Sequence, residues 1–397
     1  MTPRQFLLKL HGRCNLACSY CYVYEAADQS WRAKPRRMES ATVRQVARRI
    51  AEYRRGGEGI SVILHGGEPL LLGARHLDEA LSVLRDALDD RGGDVALSLQ
   101  TNGVLLRDAE LLRVLQRHRV RVGVSLDGTA RDHDRNRRFG DGRGSYEAVA
   151  EGLRVLGSEA HRHLFAGVLC TVDLANDPVA TYEALLEFAP PRMDLLLPHG
   201  NWSAPPTGLK GGVPPRVPPT PGERGTPYAD WLCAVFDRWY WAPHRETGIR
   251  LFEELIMLLL GGRASSEIVG TGAMDLVVVE TDGTLELADS LKVAYDGAAV
   301  TGLDVFKHSF ADVARHPAFR TPRRAAVCGS CALEGVCGGG LYAHRYKAGE
   351  GESEGDTFGH PTVYCHDMAA LIAHIRGAVQ RDAAAFRGRR AQRADAR

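Results

Sequence analysis

Residues 6–22 read FLLKLHGRCNLACSYCY, an apolar run that passes without a break into a loop carrying Cys14, Cys18 and Cys21. A strand that ends on polar, chemistry-bearing residues is the repeating feature of parallel α/β folds, which place their sites where strands give way to loops. The three thiols follow a C-x3-C-x2-C spacing on one loop. Zinc sites usually combine two short pairs into four ligands. Here no fourth Cys or His follows at a matching spacing, although His11 just upstream could complete a tetrahedron, so a structural zinc loop stays open as a reading. Three thiolates holding a four-iron cluster would instead leave one iron free for a ligand.

The pattern repeats downstream. FLLKLHG, ISVILHGG, VALSLQTNG, VRVGVSLDG, HLFAGVLCTV and MDLLLPHGN read as strands, separated by helix-like segments at Ser40–Arg55, Arg75–Asp89, Asp108–Arg117, Tyr146–Leu156 and Val179–Phe188. Alternating short apolar runs and 3.6-period segments predict an α/β fold built as a partial (β/α)6 TIM barrel over residues 1–202. A barrel of this many units is open at one side, which suits a polymer substrate. Residues 203–227 are too rich in Pro and Gly for a helix or central strand and read as a linker or loop. Residues 228–300 read as bridging helices and a hairpin turning at Asp282-Gly283, with Trp231, Phe236, Trp239 and Leu255 facing a core. A small domain at 301–380 and a flexible basic tail at 381–397 complete the expected organisation.

Composition narrows the function. The 397 residues carry 50 Lys+Arg against 49 Asp+Glu, a formal charge of +1, which removes the electrostatic case for nucleic acid or an anionic membrane. No apolar run is long enough to span a bilayer and no signal sequence precedes the first strand, so a cytoplasmic enzyme is expected. Nine cysteines divide into the three above, four at 328, 331, 337 and 365, and the separate Cys170 and Cys233, read as packing residues. Cys328-Gly-Ser-Cys331, Cys337-Gly-Gly-Gly and Cys365 form a set without a vacancy, either structural zinc or an auxiliary iron–sulfur cluster; spacing does not decide.

Taken together, C-x3-C-x2-C after the first strand, Tyr20 before the third cysteine, and His65-Gly66-Gly67-Glu68-Pro69 after the second strand resemble the radical S-adenosylmethionine superfamily. The resemblance implies that Cys14, Cys18 and Cys21 ligate a [4Fe–4S] cluster whose open iron binds S-adenosylmethionine. It implies that the Gly66-Gly67-Glu68 loop receives the methionine amino group, glycine permitting close approach and a carboxylate suiting an ammonium. Asn102 and Ser125, at the next two strand ends, fall in segments that the family places near the ribose and methionine carboxylate, and Arg137 could hold that carboxylate. Each of these motifs alone is an ordinary polar loop. Residues 328–365 resemble the SPASM domain of peptide-modifying members, with Cys328, Cys331, Cys337 and Cys365 holding one auxiliary [4Fe–4S] cluster. Ala288 and Leu341 stand where a full SPASM domain has ligands of a second, so two clusters in total are expected.

FLLKLHGRCNLACSYCYVYEAADQSW, LLPHGNW, LADSLKVAYDG and CGGGLYAHRY are similar to the FxsB-type branch of these maturases, which act on ribosomally synthesised peptides. That likeness implies a cyclophane-forming reaction: a 5′-deoxyadenosyl radical abstracts hydrogen from a Cβ, which bonds to an aromatic ring. It also implies a precursor-peptide partner and an electron donor such as flavodoxin or ferredoxin. Asp289 is the expected base, with a turn or cap aspartate as the plainer alternative. Tyr22, Tyr24, Trp31 and Trp202 are either channel-lining or core aromatics. The first strand begins so near residue 1 that the precursor's leader is expected to bind elsewhere on this chain or on a separate partner. Other readings are thioether formation, Ser or Cys oxidation, or a zinc-stapled binding module without catalysis.

Overall fold

The computed structural model describes residues 3–54, 59–89, 95–212, 214–215, 218, 225–272, 275–320, 324–349 and 357–395. The chain divides into two compact units: Met1–Val172 with Ala180–His199 and Ala273–Pro322, and Asp173–Val179 with Gly200–Gly272 and Arg323–Arg397.

The first unit is a twisted parallel sheet with helical crossovers. Strands β1 (Gln5–His11), β2 (Ile60–Gly66), β3 (Val95–Thr101), β4 (Arg121–Ser125), β5 (Phe165–Thr171) and β6 (Arg192–Leu196) pair in sequence order, each parallel to the next. This is the expected six-strand α/β arrangement. Crossovers run through α1 (Ser40–Tyr53), α2 (Ala74–Asp89), α3 (Ala109–Arg117), α4 (Ala130–Asn136), α5 (Tyr146–Gly157) and α6 (Pro178–Leu186). The helices form because their apolar residues recur at helical spacing. On α1, Val43, Val46, Ala47 and Ile50 are buried while Arg44 and Arg48 between them face out. Asp108 starts α3 by accepting from the Glu110 and Leu111 amides.

The hairpin joins the sheet of the first unit. β7 (Leu276–Val279) lies parallel to β1 on the side away from β2, and β8 (Thr284–Glu286) and β9 (Val300–Asp304) extend that side antiparallel. The turn expected at Asp282-Gly283 is present, with Gly283 at φ 89°. Residues 273–322 thus return to the barrel unit, a placement that local sequence pattern does not encode because the partner strand lies 271 positions earlier.

In the second unit, α7 (Pro227–Tyr240), α8 (Arg250–Leu259) and α9 (Cys365–Asp395) make a helical core with Trp231, Phe236 and Leu255 buried. Asp367 accepts from the Tyr228 and Ala229 amides, capping α7 from α9. The stretch 381–395, expected to be flexible, continues α9 as helix. Of the Pro/Gly-rich segment, residues 203–212 form turns, and most of 213–224 lies outside the described residues.

Candidate active site

The strand ends of the first unit surround a cavity with about 1020 Å³ of empty space, open solvent at its mouth included. Cys14, Cys18, Tyr20, Cys21, Gly66, Gly67, Asn102, Ser125 and Arg137 all line it. Residues far apart in sequence are brought together here by the parallel register and by the loops that follow the strands.

The cysteine loop is held from two sides. Its Ala17 amide donates to the Arg138 carbonyl at 2.7 Å and the Ser19 amide to the Asn136 carbonyl at 3.1 Å, so the segment after α4 straps it down. On the other side the Gly67 and Glu68 amides donate to the His11 and Arg13 carbonyls at 2.9 and 3.0 Å. A Cβ on Gly66, at φ 143°, would fall 2.2 Å from the His11 oxygen, and one on Gly67 would fall 2.6 Å from the Arg13 carbonyl carbon. Only glycine allows this approach.

Glu68 is placed differently from the expectation. It does not line the cavity; its fully buried carboxylate accepts from the Asn102 amide (2.8 Å), the Thr101 hydroxyl (2.8 Å) and the Leu70 amide (3.0 Å). Burial nonetheless pushes its pKa up to about 7. Its job in this geometry is to lock the end of β2 to the end of β3. Asn102 then donates to Asn15 Oδ1 at 2.8 Å and lies 3.6 Å from Cys14 Sγ, while Gln100 donates to Ser125 Oγ at 3.1 Å.

Asp127 is the residue that sequence reading passed over. Its Oδ2 accepts from Arg137 Nε at 2.8 Å and from the Tyr20 hydroxyl, and its Oδ1 from the Thr171 amide at 2.9 Å. One buried carboxylate therefore ties the cysteine loop, β4, β5 and Arg137 together. Burial alone would lower the Arg137 pKa, but Asp127, Tyr20 and Cys18 hold it well above its ordinary value. Its guanidinium also stacks over the Tyr20 ring at 5.5 Å. The signal was the Ser125-Leu-Asp-Gly motif itself, in which Ser125 was singled out and its neighbour was not.

Asp289 is not among the lining residues either. It is buried, with Oδ1 held by Lys9 Nζ at 2.7 Å and, among the described residues, no hydrogen-bond partner on Oδ2. Lys9 also pairs with Glu280 at 2.6 Å, and Lys292 reaches Glu280 at 2.9 Å and Glu286 at 3.4 Å. Lys9 stands beside His65 in the β1–β2 register. His65, Tyr22 and His199 line the cavity, and the last two meet edge to face at 4.7 Å. Burial lowers both imidazoles, His199 to about 4, while Asp289 pulls each upward, so the carboxylate acts on the cavity through this wall. Tyr24 lines the cavity too; Trp31 packs on Tyr24 at 4.9 Å, and Trp202 is buried in the second unit, donating to the Pro361 carbonyl.

The cysteines fit an iron–sulfur cluster better than one metal ion. The ligand atoms of Glu280, Glu286 and Asp289 all lie within 4.8 Å of one another, but among the described residues no trio containing a cysteine is that tight. Tetrahedral zinc with bonds of about 2.3 Å needs sulfurs about 3.8 Å apart. The carboxylate trio is already matched by three lysines, Lys9, Lys292 and Lys34. Burial pushes Cys14 up to about 12 and Cys18 to about 11. Cys328, Cys331, Cys337 and Cys365 line a second cavity with about 410 Å³ of empty space, within the second unit. Cys170 is buried, as a packing residue would be.

A parallel barrel with three cysteines on its first loop and a glycine turn on its second has the fold of radical S-adenosylmethionine enzymes. Residues 8–176 match the model of the Radical SAM superfamily. The serine-type anaerobic sulfatase-maturating enzyme of Klebsiella aerogenes is 33% identical over 189 residues, 46% of this chain and 44% of that protein. The chain therefore spans less than half the length of that relative. The cysteine-type anaerobic sulfatase-maturating enzyme of Clostridium novyi is 23% identical over 72% of this chain and 74% of its own. Among solved structures, native anSMEcpe with bound AdoMet superposes with a TM-score of 0.76 at 20% identity, covering 97% of this chain and all of the other. The same protein with bound AdoMet and Kp18Cys peptide matches equally well, at 0.76. No helix among the described residues is long and apolar enough to cross a membrane.

Proposed function

We propose that the chain is a radical S-adenosylmethionine enzyme that modifies a ribosomally made precursor peptide, joining an aromatic ring to the Cβ of a nearby residue. The observation that carries this reading is the convergence of Cys14, Cys18, Cys21, Gly66, Gly67 and Arg137 on one cavity at the strand ends. When bound, a [4Fe–4S] cluster with S-adenosylmethionine supplies hydrogen-atom abstraction from an unactivated carbon.

The chain's own residues do the rest. Gly66 and Gly67 keep side chains out of the space an amino group needs, and Arg137, held by Asp127, offers its cation to a carboxylate. Asn102 and Ser125 present polar groups at the next two strand ends. Closing the ring bond and restoring aromaticity releases one proton and one electron. Asp289 Oδ2 is the proposed proton acceptor, reached past His65, Tyr22 and His199, with Lys9 stabilising the carboxylate. Cys328, Cys331, Cys337 and Cys365 are proposed to hold a second cluster.

Oxidation of a single Ser or Cys is the second reading, favoured by the names of the relatives. Anaerobic reconstitution with the precursor peptide, followed by mass spectrometry, separates the two. Loss of two hydrogens mapped to an aromatic residue and its neighbour supports the crosslink. An aldehyde trapped at one Ser or Cys supports oxidation. Zinc without iron, or no deoxyadenosine on reduction, ends both.

A further inference from the structure

We infer that Arg345 is the built-in counter-charge of the four-cysteine site in the second unit and sets its reduction potential upward, which makes that site an electron acceptor and not only a staple. The inference rests on the reading that Cys328, Cys331, Cys337 and Cys365 hold a cluster.

Arg345 is buried, and a guanidinium cannot shed its charge in a protein. Its hydrogen bonds all go to neutral carbonyls: Nη2 to the Gly340 oxygen at 2.6 Å and the Gly338 oxygen at 3.1 Å, and Nε to the Gly340 oxygen at 3.2 Å. Among the described residues no carboxylate pairs with it. The neighbouring Arg324 is already matched by Glu334 at 2.7 Å and adds no net charge. Burial lowers the Arg345 pKa, and the groups that oppose this are Cys328, Cys337 and Tyr342. A buried cation without an anion is costly, typically several kcal/mol. Thiolates supply the missing charge once metal binding has released their protons to solvent.

The geometry places the cation beside the sulfurs. A methyl built on Gly339 would lie 3.3 Å from Arg345 Nη2 and 3.5 Å from Cys328 Sγ, so guanidinium and sulfur flank one point. Gly338, Gly339 and Gly340 all have left-handed backbone, at φ 65°, 84° and 71°. This run turns carbonyls 338 and 340 onto Arg345, while the Gly339 amide donates to Cys337. A single loop thus orients both the cation and a ligand. Four thiolates on a [4Fe–4S] core leave net negative charge, and adding an electron increases it. A fixed cation at this distance favours the reduced form, because charge and hydrogen bonding at the sulfurs set such potentials.

The test uses the full chain with Cys14, Cys18 and Cys21 replaced by Ala, so that only the second-unit cluster remains, reconstituted anaerobically and titrated with dithionite and redox mediators under electron paramagnetic resonance. In this background R345Q is expected to lower the reduced-to-oxidised ratio at the parent midpoint at least tenfold, about 59 mV for one electron. R345K, which keeps the charge, is expected to stay within threefold of the parent. A Gln variant at full iron content within twofold of the parent, or a Lys variant as low as Gln, overturns the role of Arg345. If the Gln variant cannot hold iron, loading of the Lys variant supports the charge and failure of both refutes it. A parent that binds zinc and no iron overturns the cluster reading itself, and the inference with it.

Discussion

Replacing Asp127 by Asn keeps its shape and removes its charge, which isolates the electrostatic part of the site's most connected residue. The Arg137–Asp127 pair is 2.8 Å long, with side chains only 12% and 4% exposed. At an effective dielectric of about 20 and about 4 Å between charge centres the attraction is roughly 4 kcal/mol. Most of that was spent on desolvating the pair, but deleting one partner strands the other, and breaking buried pairs in this way costs about 3–5 kcal/mol. Asp127→Asn is therefore expected to lower the unfolding free energy by about 3 kcal/mol in anaerobic urea denaturation. It is also expected to weaken S-adenosylmethionine binding by at least tenfold in calorimetry, because Arg137 and Tyr20 lose their common anchor. Arg137→Gln in the same background should add little, since the pair acts as a unit. A stability within 0.5 kcal/mol of wild type, roughly what a surface substitution does, together with unchanged binding, refutes the argument.

Glu68→Gln tests the buried carboxylate through pH. The folded chain holds the Glu68 proton to about pH 7, whereas the ordinary value is 4.5, so its cost is absent at low pH and grows as pH rises between these values. By pH 8 the full shift corresponds to about 3 kcal/mol. The variant should thus compare more favourably with wild type at pH 8 than at pH 5 in apo-protein denaturation, and an equal difference at both contradicts this. Gly67→Ala drives a methyl into the Arg13 carbonyl and should abolish S-adenosylmethionine binding; an affinity within threefold of wild type, roughly a loss of 0.6 kcal/mol, means the loops are not in contact. For the proposed crosslinking, Asp289→Asn is expected to slow bond formation while uncoupled deoxyadenosine release continues, read by mass spectrometry and chromatography of one reaction; undiminished crosslinking removes Asp289 as the proposed base.

Much of this architecture was legible because the barrel repeats one local pattern. The six parallel strands and their helices follow from apolar periodicity, and the cavity residues follow from strands ending in small and polar side chains. Glu68 and Asp127 show where that reading stops. Both are acidic residues at strand ends, and sequence cannot tell whether such a carboxylate points at a ligand or at a neighbouring strand's amide. Glu68 turned inward to Asn102, and Asp127 became the tie between four elements. Asp289 is singled out only by resemblance, and its ion-pair partner Lys9 is hidden, since a lone lysine in an apolar strand carries no local mark of the carboxylates it meets.

The hairpin at 276–286 has a consequence for how the chain comes off the ribosome. The strand that covers the outer flank of β1 is synthesised some 270 residues after it. Until then the early barrel presents the amides and carbonyls of β1 as an open template for another chain. Pairings of such long separation are also slow to form. A chain stopped before residue 276 would keep all six parallel strands and Cys14, Cys18 and Cys21, and would still be left sticky.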